Sequence, residues 1–313
     1  MASATDSSVS TSRIVEAQQT DYVAFLHRHP FATDAYELGF TTGVREDYQY
    51  QIEGLRNVDF PVGMLDNDFR DPNLDRYIAR FEQYEPDIAV LGDARSPVDA
   101  QQFLNAAEDL RTRFPGTTFI VVPKSNDALA TLSEAAVTLG YPMGYSDVRA
   151  TDFSNPADWR GLDVHLLGGS PPRQYETIQV LTQPTVTAAP PANIVGLDWN
   201  GPVQIAYKGE FWSRDGWQSA DHLEIRATVK RSLEEMRAFW QDRGIWPGST
   251  PREEYGAAIR TPDDHIWAVD GSHIGETEQL EDAIVVDYDD GRTYAYRSEL
   301  ERKRVEYYEG RLN

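Results

Sequence analysis

From about residue 58 the chain repeats one grammar: a short run of Val, Ile and Leu, a polar or glycine-bearing turn, then an amphipathic stretch. The runs occupy residues 58–65, 87–91, 117–122, 143–145, 164–167 and 193–197. Helical spacing is clearest over residues 97–114, where Phe103, Leu104, Ala107, Leu110 and Phe114 recur every three or four positions. Residues 129–139 and 173–181 read as shorter helices. Pro97, Pro171 and Pro172 fall where a first helical turn tolerates proline. Strands alternating with helices call for a parallel sheet with right-handed crossovers. About six to eight such units predict an irregular TIM-type (β/α) barrel. A doubly wound open sheet is the alternative.

The flanking segments follow other rules. Residues 1–12 are small and polar, an expected disordered tail. The barrel domain is expected over 13–225, with a short helix and one strand in its weakly periodic first part, 13–51. A small α+β region follows over 226–313. It opens with a helix over 226–243 that aligns Val229, Leu233, Met236, Phe239 and Trp240 on one face. A hairpin around Asp289-Asp290-Gly291 joins strands at 283–288 and 293–296. A charged helix capped by Ser298 ends the chain. The aromatic set Phe211, Trp212, Trp217, Trp240 and Trp246 reads as core or domain interface.

Composition narrows the chemistry. There are no cysteines, which excludes disulfides, thiolate zinc sites and cysteine nucleophiles. No run of about 18 apolar residues predicts a membrane span, and no basic-then-apolar leader opens the chain. The expected location is cytoplasmic, with no membrane partner. The 29 basic side chains face 51 acidic ones, a net charge of −22, and only Lys124, Lys208, Lys230 and Lys303 are lysines. That balance reads as adaptation to high salt, where self-repulsion is screened.

The residues able to do chemistry fall at the C-terminal ends of the predicted strands, which in a (β/α) barrel converge on one mouth. They are Asp66 with Asn67 and Asp68, then Asp93, Lys124 and Asp147. Gly168-Gly169-Ser170 and Asp198-Trp199-Asn200 complete the set. Each has a plainer reading. Asp66, Asp68, Asp93 and Asp147 could cap the following helices. Lys124 could pair with a neighbouring Asp instead of forming a Schiff base or holding an anion. The two glycines could simply make a tight turn. His165 lies within a strand and reads as a satisfied core histidine. Capping is weakest for Asp198, because Gly201-Pro202 and the β-rich run to Tyr207 disfavour an immediate helix.

Residues 164–171, with their HLLGGSP stretch, and residues 64–68 resemble an uncharacterised family found in haloarchaea and in phages or mobile elements. A later strand ending in an acid plus Asn matches at Asp198-Trp199-Asn200, and the resemblance spans residues 61–217. More distantly, the chain is similar to the tRNA-guanine transglycosylase barrels and their phage DNA-modifying relatives. Ser170, Lys124 and Asn200, at the same strand ends, are expected on the substrate; the likeness itself implies base contacts from Gly168 and Gly169. It implies Asp198 as nucleophile on the sugar, and Asp66 or Asp93 as the second acid. The chain departs from that pattern in lacking the cysteines of the structural zinc site and in a shorter Gly-Gly to Asp spacing.

The leading expectation is therefore an enzyme acting on a nucleobase, a nucleoside or nucleic acid, with Asp198, Asp66 and Asp93 as catalytic residues. No resident metal or other cofactor is assigned. One rival is a Mg²⁺-dependent hydrolase or lyase using Asp66, Asp68, Asp93 and Asp198 as oxygen ligands. The other is a binding or scaffold protein whose C-terminal region carries the partner contact.

Overall fold

The computed structural model describes residues 19–27, 31–47, 62–144, 148–185 and 189–247, and five strand backbones beyond them. Eight parallel strands close into a barrel: β1 (Tyr22–Leu26), β2 (Thr41–Arg45), β3 (Met64–Asp66), β4 (Ile88–Ala94), β5 (Thr118–Pro123), β6 (Thr138–Pro142), β7 (Asp163–Leu167) and β8 (Asn193–Asp198). β8 returns to pair with β1, Asp198 opposite Ala24. The TIM-type barrel is the fold; the open sheet is not.

Alternation along the strands sorts two cores. Tyr22, Ala24, Leu26, Met64, Ile88, Val90, Ile120 and Val122 pack together inside the barrel. Their strand neighbours Val23, Phe25, Leu65, Ala89, Phe119 and Val121 join a larger layer with the surrounding helices. Helices α1 (Phe31–Glu37), α2 (Leu74–Tyr84), α3 (Pro97–Arg113), α4 (Asn126–Leu132), α5 (Ala150–Phe153) and α6 (Pro171–Leu181) run between strands. α7 (Gly201–Ala206) and α8 (Ile225–Asp242) follow the barrel.

Several local expectations need correction. The sixth strand is 138–142, not 143–145, and the helix expected over 129–139 ends at Leu132. Ser125 caps that helix early, accepting a hydrogen bond from the Ala128 amide. Thr138, Leu139, Gly140 and Tyr141 then pair as a strand with neighbours on both sides. The first part of the chain supplies two strands and α1 rather than one strand and a helix. Caps for α2 and α3 come from Asn73 and from the Ser96–Asp99 capping box, so Asp66, Asp68 and Asp93 are not spent on capping. Asp147 lies outside the described residues. A helix does follow Asp198 closely: Gly201-Pro202 opens α7, with proline in the first turn.

Helix α8, assigned by its sequence to a separate C-terminal region, packs on α1, α7 and strand β9 (Glu210–Ser213). Its Val229, Leu233, Met236, Phe239 and Trp240 are buried as its periodicity predicts. The Arg226 guanidinium holds the buried Asp34 carboxylate through two 2.8 Å bonds. Strand β9 pairs with β10 (Gly216–Ser219). Phe211, Trp212, Trp240 and Trp246 are buried, while Trp217 is half exposed.

Farther on, β11 (His265–Trp267) pairs with β12 (His273–Glu276). β13 (Gln279–Leu280), β14 (Ala283–Asp287) and β15 (Thr293–Ala295) form an antiparallel sheet that includes the expected hairpin. The expected helix from Ser298 and the N-terminal tail lie outside the described residues. Among the described residues, no helix is long and apolar enough to cross a membrane.

A net charge of −22 predicts that stability rises with salt. Raising NaCl from about 0.1 M to about 1 M shortens the Debye length from ~10 to ~3 Å and mutes carboxylate repulsion. The melting temperature should climb across that range; a flat response would mean the acidity is not a salt adaptation.

Candidate active site

Side-chain direction at the barrel mouth follows strand register, and two one-residue slips decide it. On β4, Val90 sits opposite Ile120, but Gly92 then pairs with Val121 and Asp93 with Val122. Simple alternation from the inward Val90 would turn Asp93 outward. The slip at Leu91 puts it in register with the inward Val122. The second slip is on β8. Ile194 lies opposite Val164, yet Gly196 pairs with His165 and Asp198 with Leu167. Passing over Val195 brings Asp198 into line with the inward Ala24 of β1. Such local irregularities re-aim side chains next to functional sites. Asp66 needs none: it follows the inward Met64 by two residues and pairs with Arg45 of β2.

These ends enclose one cavity of about 560 Å³. Of the residues singled out from sequence, Asp66, Asn67, Asp93, Lys124, Gly168, Gly169, Asp198, Trp199 and Asn200 line it. Ser170 does not; it occupies the N-cap position of α6 without a side-chain cap bond. Asp68 does not either. Its carboxylate turns to Arg45 at 3.9 Å and to Arg76 at 3.6 Å, while accepting the Arg70 amide. The four-aspartate Mg²⁺ cage is therefore not assembled. Among the described residues no three His, Asp or Glu are grouped to hold a metal.

Asp198 is held from beneath. Its Oδ1 accepts the Gly168 amide at 3.2 Å and lies 3.2 Å from His165 Nε2. His165 is wholly buried, and its Nδ1 meets the Tyr22 hydroxyl at 2.9 Å. Burial, with help from the Asp198 charge, pushes the Tyr22 phenol well above its ordinary value. The Asp198 carboxylate can only accept, so Nε2 carries the N–H donated to it, and in the neutral imidazole Nδ1 is then the acceptor for the Tyr22 hydroxyl. Gly196 makes this chain possible, since a Cβ there would sit 2.2 Å from the Tyr22 ring. Gly168 and Gly169 take φ of 70° and 80°, a conformation glycine adopts freely, and this presents the Gly168 amide to Asp198. The buried Gln174 of α6 donates to the carbonyls of Gly168 (2.8 Å) and Asp198 (2.7 Å), locking the two strand exits together.

Across the cavity the charges are arranged differently. Asp93 lies 3.3 Å from the buried Lys124 ammonium, so the plain ion-pair reading of Lys124 is met within the cavity wall. Burial pushes the Asp66 carboxyl up to about 8, and repulsion from Asp198 and then Asp93 adds to the rise. The Asn67 amide and Arg45 oppose it less strongly. At neutral pH Asp66 is therefore a protonated acid, in the same cavity as Asp198 with its two hydrogen-bond donors. Asn200 serves the scaffold, its Oδ1 accepting the Leu26 amide at 2.7 Å.

His165 is satisfied, as its sequence reading had it, but its partner is the site aspartate itself. Tyr22, Gln174 and Arg45 went unnoticed in sequence, although a tyrosine inside a buried run with glycine on the facing strand is a usable signal. Tyr22→Phe leaves the buried Nδ1 without its donor, a loss of about 1–3 kcal/mol in urea unfolding. In the same variant kcat should fall with KM little changed. Equal loss in both would argue against a positioning role.

A family model described as "Family of unknown function (DUF6610)" matches residues 35–241. No curated protein matches the chain. Among solved structures, the crystal structure of the YdjI aldolase from Escherichia coli K12 is similar, with a TM-score of 0.41 and 12% identity. The match covers 74% of this chain and 92% of that one. A likeness of that degree carries no chemistry across.

Proposed function

This chain belongs to DUF6610, a family of unknown function, and from its cavity we propose a barrel enzyme that breaks or exchanges the bond between base and sugar in a nucleoside or nucleic acid. One observation carries the reading: two carboxyl groups share a cavity in unlike settings, Asp198 hydrogen-bonded from below by His165 and the Gly168 amide, Asp66 pushed up to about 8. Unlike carboxyls at a common centre divide nucleophile and acid roles between them.

In this mechanism Asp198 attacks the anomeric carbon as the bond to the base breaks. Asp66 gives its proton to the leaving base nitrogen, so the base departs neutral. The sugar is then held as an ester of Asp198. Water or a second base, losing a proton to the Asp66 carboxylate, attacks the same carbon and restores both groups. The covalent ester splits one difficult displacement into two easier ones. His165 and the Gly168 amide fix the attacking carboxylate, and the Asp93–Lys124 pair lies in the wall around the acid.

The test is exchange of isotope-labelled free bases into a panel of nucleosides and short oligonucleotides, with intact-protein mass spectrometry for a sugar adduct on Asp198. Exchange or base release together with that adduct is expected. Activity without an adduct, surviving in Asp198→Asn, would remove the nucleophile assignment. No cleavage or exchange anywhere in the panel would sink the reading.

A further inference from the structure

We infer that the side of the cavity formed by the exits of β2 and β3 is an anion subsite, built from Arg70, Asn67 and Arg45, and that its occupant is a phosphate ester group of the substrate. The inference deepens the base–sugar reading, on which it rests for the rest of the substrate.

Charge balance is the first observation. The chain carries 29 basic against 51 acidic side chains. The cavity wall does not share that excess: Arg45, Arg70 and Lys124 face Asp66, Asp93 and Asp198. With as many cationic as carboxylic side chains, this wall is where an anion meets less of the repulsion that the rest of so acidic a protein presents.

The second observation is which cation lacks a carboxylate. Lys124 faces Asp93, and Arg45 is held by Asp47 through two short bonds. Arg70 makes no ion pair among the described residues. Its guanidinium lies 5.7 Å from the Phe69 ring centroid, with Arg45 at 5.6 Å from the same ring. Its backbone amide is tied to Asp68. The arginine is thus fixed at its base and stacked on an aromatic face, with its donors uncommitted to any acid. Planar donor forks of this kind suit phosphate oxygens.

The third is Asn67, next in the same wall. It is 5% exposed, and its side-chain amide nitrogen has no acceptor. A buried donor left unpaired is costly, and an oxygen-rich ligand beside Arg70 would supply what is missing after a small side-chain adjustment.

The opposite side of the mouth is unsuited to an anion. In many (β/α) barrels phosphate sits beyond strands seven and eight. Here the Gly168 amide is already given to Asp198, and Pro171 and Pro172 bring no N–H to the start of α6. An anion there would also lie against the Asp198 carboxylate.

The test is a titration of the full-length protein with methyl phosphate, a monoester, and dimethyl phosphate, a diester, followed by ³¹P NMR. Acetate serves as the competing anion. Wild type should bind one of the esters saturably: the monoester points to a free nucleotide, the diester to a strand. Arg70→Gln should weaken that binding about tenfold or more, the scale of a lost charge-assisted contact. Arg80→Gln removes the same charge from a site on α2 outside the cavity lining, where the side chain bonds Gln83, and should leave affinity unchanged. Asp198→Asn should bind at least as tightly as wild type. Absence of saturable binding, equal affinity in Arg70→Gln, or equally good binding of acetate would each overturn the subsite. The two readings fail separately. Phosphate binding that depends on Arg70 with no base exchange sinks only the reaction, and exchange lost in Asp198→Asn with Arg70 silent sinks only the subsite.

Discussion

Asp198→Asn should abolish turnover while leaving the barrel standing. The substitution keeps size and shape, and its amide oxygen can still accept from His165 Nε2 and the Gly168 amide where Oδ1 does now. What is lost is the charged oxygen that attacks carbon. Removing a nucleophile costs about 10³-fold or more in kcat. Stability should change by no more than about 1 kcal/mol, since no buried donor is orphaned. A second consequence is specific to this cavity. The Asp198 charge is the largest cause, after burial, of the raised Asp66 pKa. In Asp198→Asn the Asp66 carboxyl should therefore titrate lower, read directly by carboxyl ¹³C NMR. If instead the variant loses several kcal/mol, the scale of a broken buried charge pair, and keeps its activity, Asp198 is a structural residue and the mechanism fails at its first step.

The barrel was legible in the chain because parallel strands covered on both faces leave short aliphatic runs between amphipathic helices. Residues 88–94, 118–123, 163–167 and 193–198 stand out for that reason. β2 does not. Its Thr41-Thr42-Gly43-Val44-Arg45 holds a single aliphatic side chain, and Gly43 is there because a Cβ would meet the Met64 carbonyl oxygen at 2.1 Å. That requirement exists only once β3 lies beside it. The candidate site was half legible in the same sense. Acids at strand ends could be read off. Which way they face could not, since Asp93 and Asp198 point inward through register slips that leave no mark on a period of two. The support beneath Asp198 was invisible for another reason: Tyr22 and His165 are 143 residues apart in sequence. Their pairing follows from closure of β8 onto β1, not from any local pattern.

Asp66→Asn should stabilise the fold, and by more as the pH rises. In the folded protein the carboxyl titrates near 8, whereas in an unfolded chain an Asp titrates near ~3.9. Between those values the folded state holds a proton that the unfolded state has released. Stability contributed by Asp66 therefore falls as pH climbs from about 4 to about 8, and stays at its lowest above that. Asparagine has no proton to lose. The gap between variant and wild type should be small near pH 4, widen through neutrality and level off above pH 8. The half-buried position of Asp66 lets solvent relieve part of the penalty, so a plateau of about 2–4 kcal/mol is expected. That corresponds to several degrees in melting temperature. The same substitution removes the proton donor, lowering kcat/KM about 10²- to 10⁴-fold and erasing an alkaline limb near pH 8. Gain in stability with loss of activity is the signature of a group kept in an unfavourable place for its chemistry. A stability difference independent of pH would show that Asp66 is not protonated in the fold, and the proton for the leaving base would have to come from another group in the cavity.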